Sequence, residues 1–150
     1  MMAQPRGGGF GYTLLHTAQV WRTQAGAALA AHDLTVPQFL LIMALYRQHR
    51  HDWPPLTQVE TATRLGMDAN TVSQIARALE RRGLIERLPH PADARARALR
   101  LTASGVERSV AASEAARAVN DVFFGSITPE QRDVLATLLE TLTAESEKRS

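Results

Sequence analysis

LTQVETATRLGMDANTVSQIARALERRGLI occupies residues 56–85, and after Glu86 the chain continues as RLPHPADARARALRLT over 87–102. Thr57-Gln58-Val59-Glu60 has the form of a capping box, so it predicts a short helix that ends at Leu65. Gly66 follows where a helix C-terminus favours a left-handed residue. Asp68 can cap a next helix that reaches about Arg82 and is stopped by Gly83. Two helices packed around a tight turn need a small residue where they approach, a turn glycine and apolar residues on the inner face of the second. Ala62, Gly66, Val72 and Ile75 supply these, at offsets of four, ten and thirteen from the alanine. An ordinary helical hairpin has the same needs. The sequel is more telling: Leu84–Leu88 and Ala96–Leu101 read as strands, with residues 89–95 between them as a hairpin loop.

On the second helix Val72, Ile75, Ala76 and Leu79 face inward by helical periodicity. Asn70, Ser73, Gln74, Arg77 and Arg81 then face outward, with Thr71 near the edge. Gln or Asn pairs with adenine, and Arg with guanine, in the major groove of duplex DNA. A merely solvated face normally mixes Glu with Lys, whereas here Glu80 is the only acid after Asp68. The hairpin carries Asp93-Ala94-Arg95-Ala96-Arg97. Its alanines keep it slim, an arginine at a hairpin tip can enter a narrow minor groove, and Asp93 is placed to hold the Arg95 guanidinium in one orientation. Alone, a charged hairpin is a solvated loop. Directly after a helix-turn-helix it reads as a wing.

Working outward, Leu14, Ala18, Trp21, Ala25 and Ala28 make a heptad-type seam within a helical pattern over residues 13–31. Thr35 and Gln38 form a capping box for a helix to about Gln48, apolar on nearly all sides and hence central. Histidines and prolines between His49 and Pro55 mark a loop. Thr102 caps a long Ala-rich helix reaching about Phe124. Thr128-Pro129-Glu130-Gln131 opens the last helix, with Val134, Leu135, Leu138, Leu139 and Leu142 on one stripe. The order is α-α-α-α-β-β-α-α, without internal repeat.

Composition narrows the function. The chain has 150 residues, 45% of them hydrophobic, enough for one domain with a sizeable core. Net charge is only +2, which excludes a generic polycation. Residues 58–100 hold eight Arg and five acids, net +3, while 101–150 hold five basic and eight acidic residues, net −3. An anionic partner is therefore expected for the middle only. Sixteen of the seventeen basic residues are Arg, which a genomic bias explains without function. There is no cysteine, so disulfides and thiolate metal sites are excluded, and a reducing cytoplasm fits. The opening MMAQPRGGGFG lacks the apolar core of a signal peptide, and no apolar run approaches the ~18–20 residues of a membrane span. Gly7–Gly11 follows no strand and lacks the Lys-Ser/Thr ending of a phosphate loop, so residues 1–11 read as a flexible arm.

At this point the chain resembles the MarR (multiple antibiotic resistance regulator) family of winged helix-turn-helix transcription factors, over roughly residues 10–147. The motifs that carry the likeness are LERRGLIER at 79–87, the D-x-R-x-R wing at 93–97, RLTASG at 100–105 and PQFLLIMAL at 37–45. Thr61 departs from the family's usual Leu in the third helix, which bears on packing there. The resemblance implies a mainly α fold with a small two- to three-stranded β-wing. It implies a homodimer, with residues 12–34 and 102–147 as dimerisation helices and 35–101 as the winged helix-turn-helix lobe. Asn70, Thr71, Ser73, Gln74, Arg77 and Arg81, with Asp93, Arg95 and Arg97 of the wing, are the expected DNA-binding residues. Family members often bind small aromatic acids or other lipophiles. His16, Trp21, Phe39, Met43 and Tyr46 are candidates for lining such a pocket, and equally for plain core.

The five histidines have no i,i+4 pair of the kind a helical metal site uses, so loop solvation or capping accounts for them and no metal or cofactor is expected. No nucleophile arrangement or paired-carboxylate motif points to an enzyme. The expectation is a cytoplasmic, dimeric, sequence-specific regulator on a near-palindromic operator, most simply a repressor relieved by a ligand. The alternative is a helical dimer that acts through protein or small-molecule contacts without operator recognition.

Overall fold

The computed structural model describes residues 9–148. Six helices and a two-stranded antiparallel sheet follow one another as α1 (Gly9–Ala30), α2 (Val36–His51), α3 (Gln58–Leu65), α4 (Ala69–Arg81), β1 (Ile85–His90), β2 (Asp93–Leu101), α5 (Ala103–Phe123) and α6 (Pro129–Glu147), with a short 3-10 turn at Phe124–Ser126. Residues 1–8 of the expected arm lie outside the described residues. Gly9, Phe10 and Gly11, also assigned to that arm, are instead the opening turn of α1.

The cap signals act as the sequence predicts. Thr35 and Thr57 each accept the N3 amide while Gln38 and Glu60 reach back to the cap amide, closing both boxes. Asp68 accepts the Thr71 amide at 2.8 Å, and Thr128 with Gln131 repeats the pattern ahead of α6. Gly66 takes the left-handed conformation at φ 62°, which turns α3 into α4 within a few residues. The α2 helix runs one turn beyond its expected end, so His49 and His51 belong to its last turn rather than to a loop. Arg50, in the same turn, sets a fixed cation at the negative end of the helix dipole, which favours that extension.

The described chain falls into two compact units, one ending at Ala116 and the other beginning at Arg117. In the first, α2 is the central element. Leu41, Ile42 and Leu45 are buried against Val72, Ala76 and Leu79 of α4 and against Ile85 and Leu99 of the sheet. Thr61 is fully buried as well, and its hydroxyl donates to the Thr57 carbonyl at 2.8 Å. The polar atom is therefore satisfied inside α3, and the departure from Leu leaves no orphaned donor.

The unit takes in the first two thirds of α5, because Gly105, Ser109, Ala112 and Ala116 make a buried stripe of small residues on that helix. At Gly105 the approach is so close that an added Cβ would stand 2.0 Å from the Leu84 carbonyl oxygen. Thr102 closes the corner: its amide donates to Leu84 O at 3.1 Å, its hydroxyl donates to Gly83 O at 2.6 Å, and it accepts the Gly105 amide at 3.0 Å. In the second unit, α6 exposes the stripe read from its sequence: Val134, Leu135, Leu138, Leu139 and Leu142 all face solvent. No helix among the described residues is long and apolar enough to cross a membrane.

Candidate nucleic-acid interface

Helix α4 divides into the two faces its periodicity predicts. Val72, Ala76 and Leu79 have no exposed surface, and Ile75 packs on the core from the edge. Asn70, Gln74, Arg77 and Arg81 are exposed, and Ser73 and Thr71 are half-buried. Thr71 already has a partner, since its hydroxyl donates to the Asp68 carboxylate at 2.5 Å. That bond, followed by the one from the Thr71 amide, holds the Asp68 carboxyl below the usual carboxylate range. The cap thus stays anionic at the positive end of the helix it starts.

The one acid on the body of α4 is neutralised from outside the helix. Arg87 of β1 places Nε 3.2 Å from Glu80 Oε2 and donates from Nη2 to the Ser73 carbonyl at 3.3 Å. Sequence reasoning did not single out Arg87. Its residue type gave no hint, because only the strand's return across α4 brings it there. Among the described residues Arg77, Arg81, Arg95 and Arg97 have no ion-pair partner, whereas Arg100 is held by Glu86 across the strands at 2.7 Å. The exposed face of α4 is therefore a row of amide, hydroxyl and guanidinium donors with its acid cancelled.

The wing differs from its sequence-based form. The loop expected over residues 89–95 is a two-residue turn, Pro91-Ala92, between strands paired from Ile85↔Leu101 to His90↔Asp93, with an irregularity at Pro89/His90. Asp93 and Arg95 thus lie on β2, not at a tip. Nor does Asp93 hold the Arg95 guanidinium: its Oδ1 accepts the backbone amide of Arg95 at 2.9 Å. An amide two residues on is a short, preorganised reach for an Asx-type bond, which leaves the long guanidinium unconstrained. The register passes from Pro89↔Arg97 to His90↔Asp93, so residues 94–96 bulge out of the ladder, and Arg95 and Arg97 are both exposed. A third strand is present only as a bridge between Thr57 and Ala98, beside a bond from the Leu99 amide to Leu56 O at 3.1 Å. It ties the wing to the segment that opens α3.

The five residues considered for an effector pocket lie on two helices, His16 and Trp21 on α1 and Phe39, Met43 and Tyr46 on α2. His16 is exposed on α1 and stacks on Tyr12, with ring centroids 5.9 Å apart. Trp21 is half-buried on the same helix, Phe39 is core, and Tyr46 packs against the core. Met43 accepts the Ser113 hydroxyl at its sulfur and lines a cavity of about 430 Å³ with Leu40, Ala44, Arg47, Trp53, Arg64 and Leu65. Trp53, Arg47 and Arg64 were not foreseen, because they meet only through the packing of α2 on α3. No group of three or more His, Cys, Asp or Glu suited to a metal ion occurs among the described residues.

Residues 32–96 match the model of the MarR family. The chain is 33% identical over 135 residues to the HTH-type transcriptional regulator YdcH of Bacillus subtilis, with 90% of each chain covered. Among solved structures, the transcriptional repressor CouR bound to a 23-mer DNA duplex superposes with a TM-score of 0.79 at 27% identity, covering 89% of this chain and 92% of that one. The Mycobacterium tuberculosis MarR family protein Rv2887, in complex with salicylic acid, superposes with a TM-score of 0.69 at 26% identity, covering 91% of this chain and 98% of that one.

Proposed function

This chain belongs to the MarR family and is a DNA-binding transcriptional regulator, and from that premise we propose that it works as a homodimeric repressor released by a small ligand. The observation that carries the DNA-reading part is the outer face of α4, with Asn70, Ser73, Gln74, Arg77 and Arg81 directed outward and Glu80 cancelled by Arg87. In this reading Gln74 and Arg77 address base edges in the major groove, with Thr71 and Asp68 setting the helix start. Arg95 and Arg97 grip backbone or minor groove beside it. The dimer reading is supported by exposed apolar surface at both ends of the chain: Phe10, Tyr12, Leu14 and Leu15 on α1, and the stripe on α6. For the ligand, the cavity at Met43 is lined by apolar side chains together with Trp53 and two arginines, Arg47 and Arg64. An aromatic carboxylate suits that chemistry, in keeping with the salicylic acid bound by the mycobacterial relative.

Selection of binding sequences from a pool of random duplexes tests the reading. The parent should recover a near-palindrome with half-sites about one helical turn apart or slightly more. Gln74→Ala and Arg77→Ala should relax the preference at particular base pairs, at roughly 1–3 kcal/mol per good contact. Arg95→Ala should weaken binding across sequences and flatten the salt dependence by about one unit per lost phosphate contact. Unchanged motifs from the α4 variants with an altered motif from Arg95→Ala would reverse the roles. Salicylate should quench Trp53 fluorescence in a Trp21→Phe background and lower affinity for the selected duplex. Quenching without loss of affinity would leave the cavity unconnected to DNA binding.

A further inference from the structure

We propose that His90 is the positioning residue of the wing: a neutral imidazole, protonated at Nε2 and bare at Nδ1, that ties the hairpin turn to the segment ahead of α3 and so fixes where Arg95 and Arg97 stand. The proposal rests on the DNA-gripping role given to those arginines above. The ring lies between two backbone groups of opposite kind. Its Nε2 is 3.2 Å from the Pro55 carbonyl oxygen, and its Nδ1 is 3.2 Å from the Ala92 amide nitrogen. A carbonyl oxygen only accepts, so Nε2 must carry the hydrogen. A backbone N–H only donates, so Nδ1 must be bare. One protonation form of the three satisfies both bonds. A second proton, added at Nδ1, sets two donors against each other and removes the bond to Ala92.

That bond matters because the turn has few others. Pro89 and Pro91 flank the histidine and neither has an N–H to give to the hairpin ladder. The 90-to-92 bond adjoins the 93-to-95 bond from Asp93 to the Arg95 amide, so two consecutive side-chain clamps set the backbone that delivers Arg95. At its other end the ring holds Pro55, next to Leu56 and Thr57, which carry the bridge to β2 and the cap of α3. His90 therefore couples the wing to the helix-turn-helix.

The ionisable groups facing His90 are Glu60 of α3, close enough for a charged ring to act on its carboxyl, and Asp93 and Arg97, which stand at the neighbouring register positions of β2. On the α2 side, His49 and Asp52 line the cavity shared by Pro55, Pro89 and Pro91. None of these groups supplies a replacement acceptor for the Ala92 amide.

The test uses the full chain. Imidazole ¹⁵N spectra at about pH 8 should show His90 with a pyrrole-like Nε2 and a pyridine-like Nδ1, the signal assigned by its loss in His90→Asn; the opposite tautomer overturns the proposal. Affinity for a duplex recovered from the random pool is then measured at about pH 8 and about pH 5.5, either side of the range in which histidine changes charge. His90→Asn keeps an acceptor for the Ala92 amide in an Asx turn and cannot titrate. The parent should lose roughly three- to tenfold more affinity on acidification than His90→Asn, the worth of one hydrogen bond. The other four histidines are common to both proteins and cancel in the comparison. In an Arg95→Ala, Arg97→Ala background the difference should vanish, which a purely structural role would not produce. Matching pH profiles for parent and His90→Asn, or a difference that survives without the arginines, overturns the proposal. If no duplex is recovered from the pool, the DNA-binding reading fails, while the tautomer is still read in the free protein.

Discussion

Glu80 and Arg87 show how a single ion pair shapes the face that meets DNA. Unpaired, Glu80 would set a negative charge among Arg77, Arg81 and the phosphates they approach. With Nε of Arg87 3.2 Å away, that charge is offset by a group that also tethers the Ser73 carbonyl. With Arg87 half-buried and the Glu80 carboxylate still open to water, the pair contributes modestly to folding, and its value lies in the field it leaves on α4. Arg87→Ala is accordingly expected to lower DNA affinity more than thermal stability. Adding Glu80→Gln should restore part of the loss; a double variant no better than Arg87→Ala would show that Arg87 acts through Ser73 or through β1 instead. Asp68 lends itself to a pH measurement. Its folded-state pKa is depressed, by Thr71 above all, so its contribution is complete above the unfolded carboxylate value and is lost as pH falls through the folded one. The gap in melting temperature between the parent and Asp68→Ala should therefore be widest near neutrality and close in acid. A gap constant with pH would mean that the charge of the cap is irrelevant.

At the scale of elements, the junction of β2 with α5 is the tightest contact among the described glycines. A methyl group at Gly105 meets the Leu84 carbonyl, backbone that cannot swing aside as a side chain tip can. Gly105→Ala should cost about 1–3 kcal/mol, read from the midpoint of urea unfolding. Gly125→Ala, whose added carbon meets nothing within 4 Å, serves as the control. Equal midpoints for the two variants would contradict the close approach. These boundaries were legible because caps are local: Thr35, Thr57, Asp68 and Thr128 each act within three residues of themselves. The wing tip was less so. Proline on either side of His90 argued for an open loop, yet the ring supplies the turn bond that the prolines cannot, and strand pairing continues to His90↔Asp93. Arg87, Trp53 and Arg64 escaped notice for a related reason. Each acquires its role from a neighbour on another element, and no pattern within one element announces such a meeting.

For the molecule as a whole, the distribution of surface matters more than its sum. The middle of the chain carries the excess of arginine, and its two ends carry the exposed apolar side chains, among them Phe10 at 88% and Leu138 at 57% exposure. Surface of this kind belongs against another protein surface, and a second copy is the occupant that the family membership favours. If so, the melting temperature should rise with protein concentration, and deletion of residues 126–150 should give an aggregated or unfolded product. A soluble, folded monomer from that deletion, with a melting temperature independent of concentration, would refute the paired arrangement. The exposed stripe on α6 then has a quantitative consequence for a cell. Below the dissociation constant of the pair, paired protein follows the square of total chain, so a twofold dilution leaves about a quarter of the binding-competent species. Growth or partition at division would thin the regulator gradually, while occupancy of its duplex would drop much faster, giving the leucines of α6 a part in deciding when a gene is released.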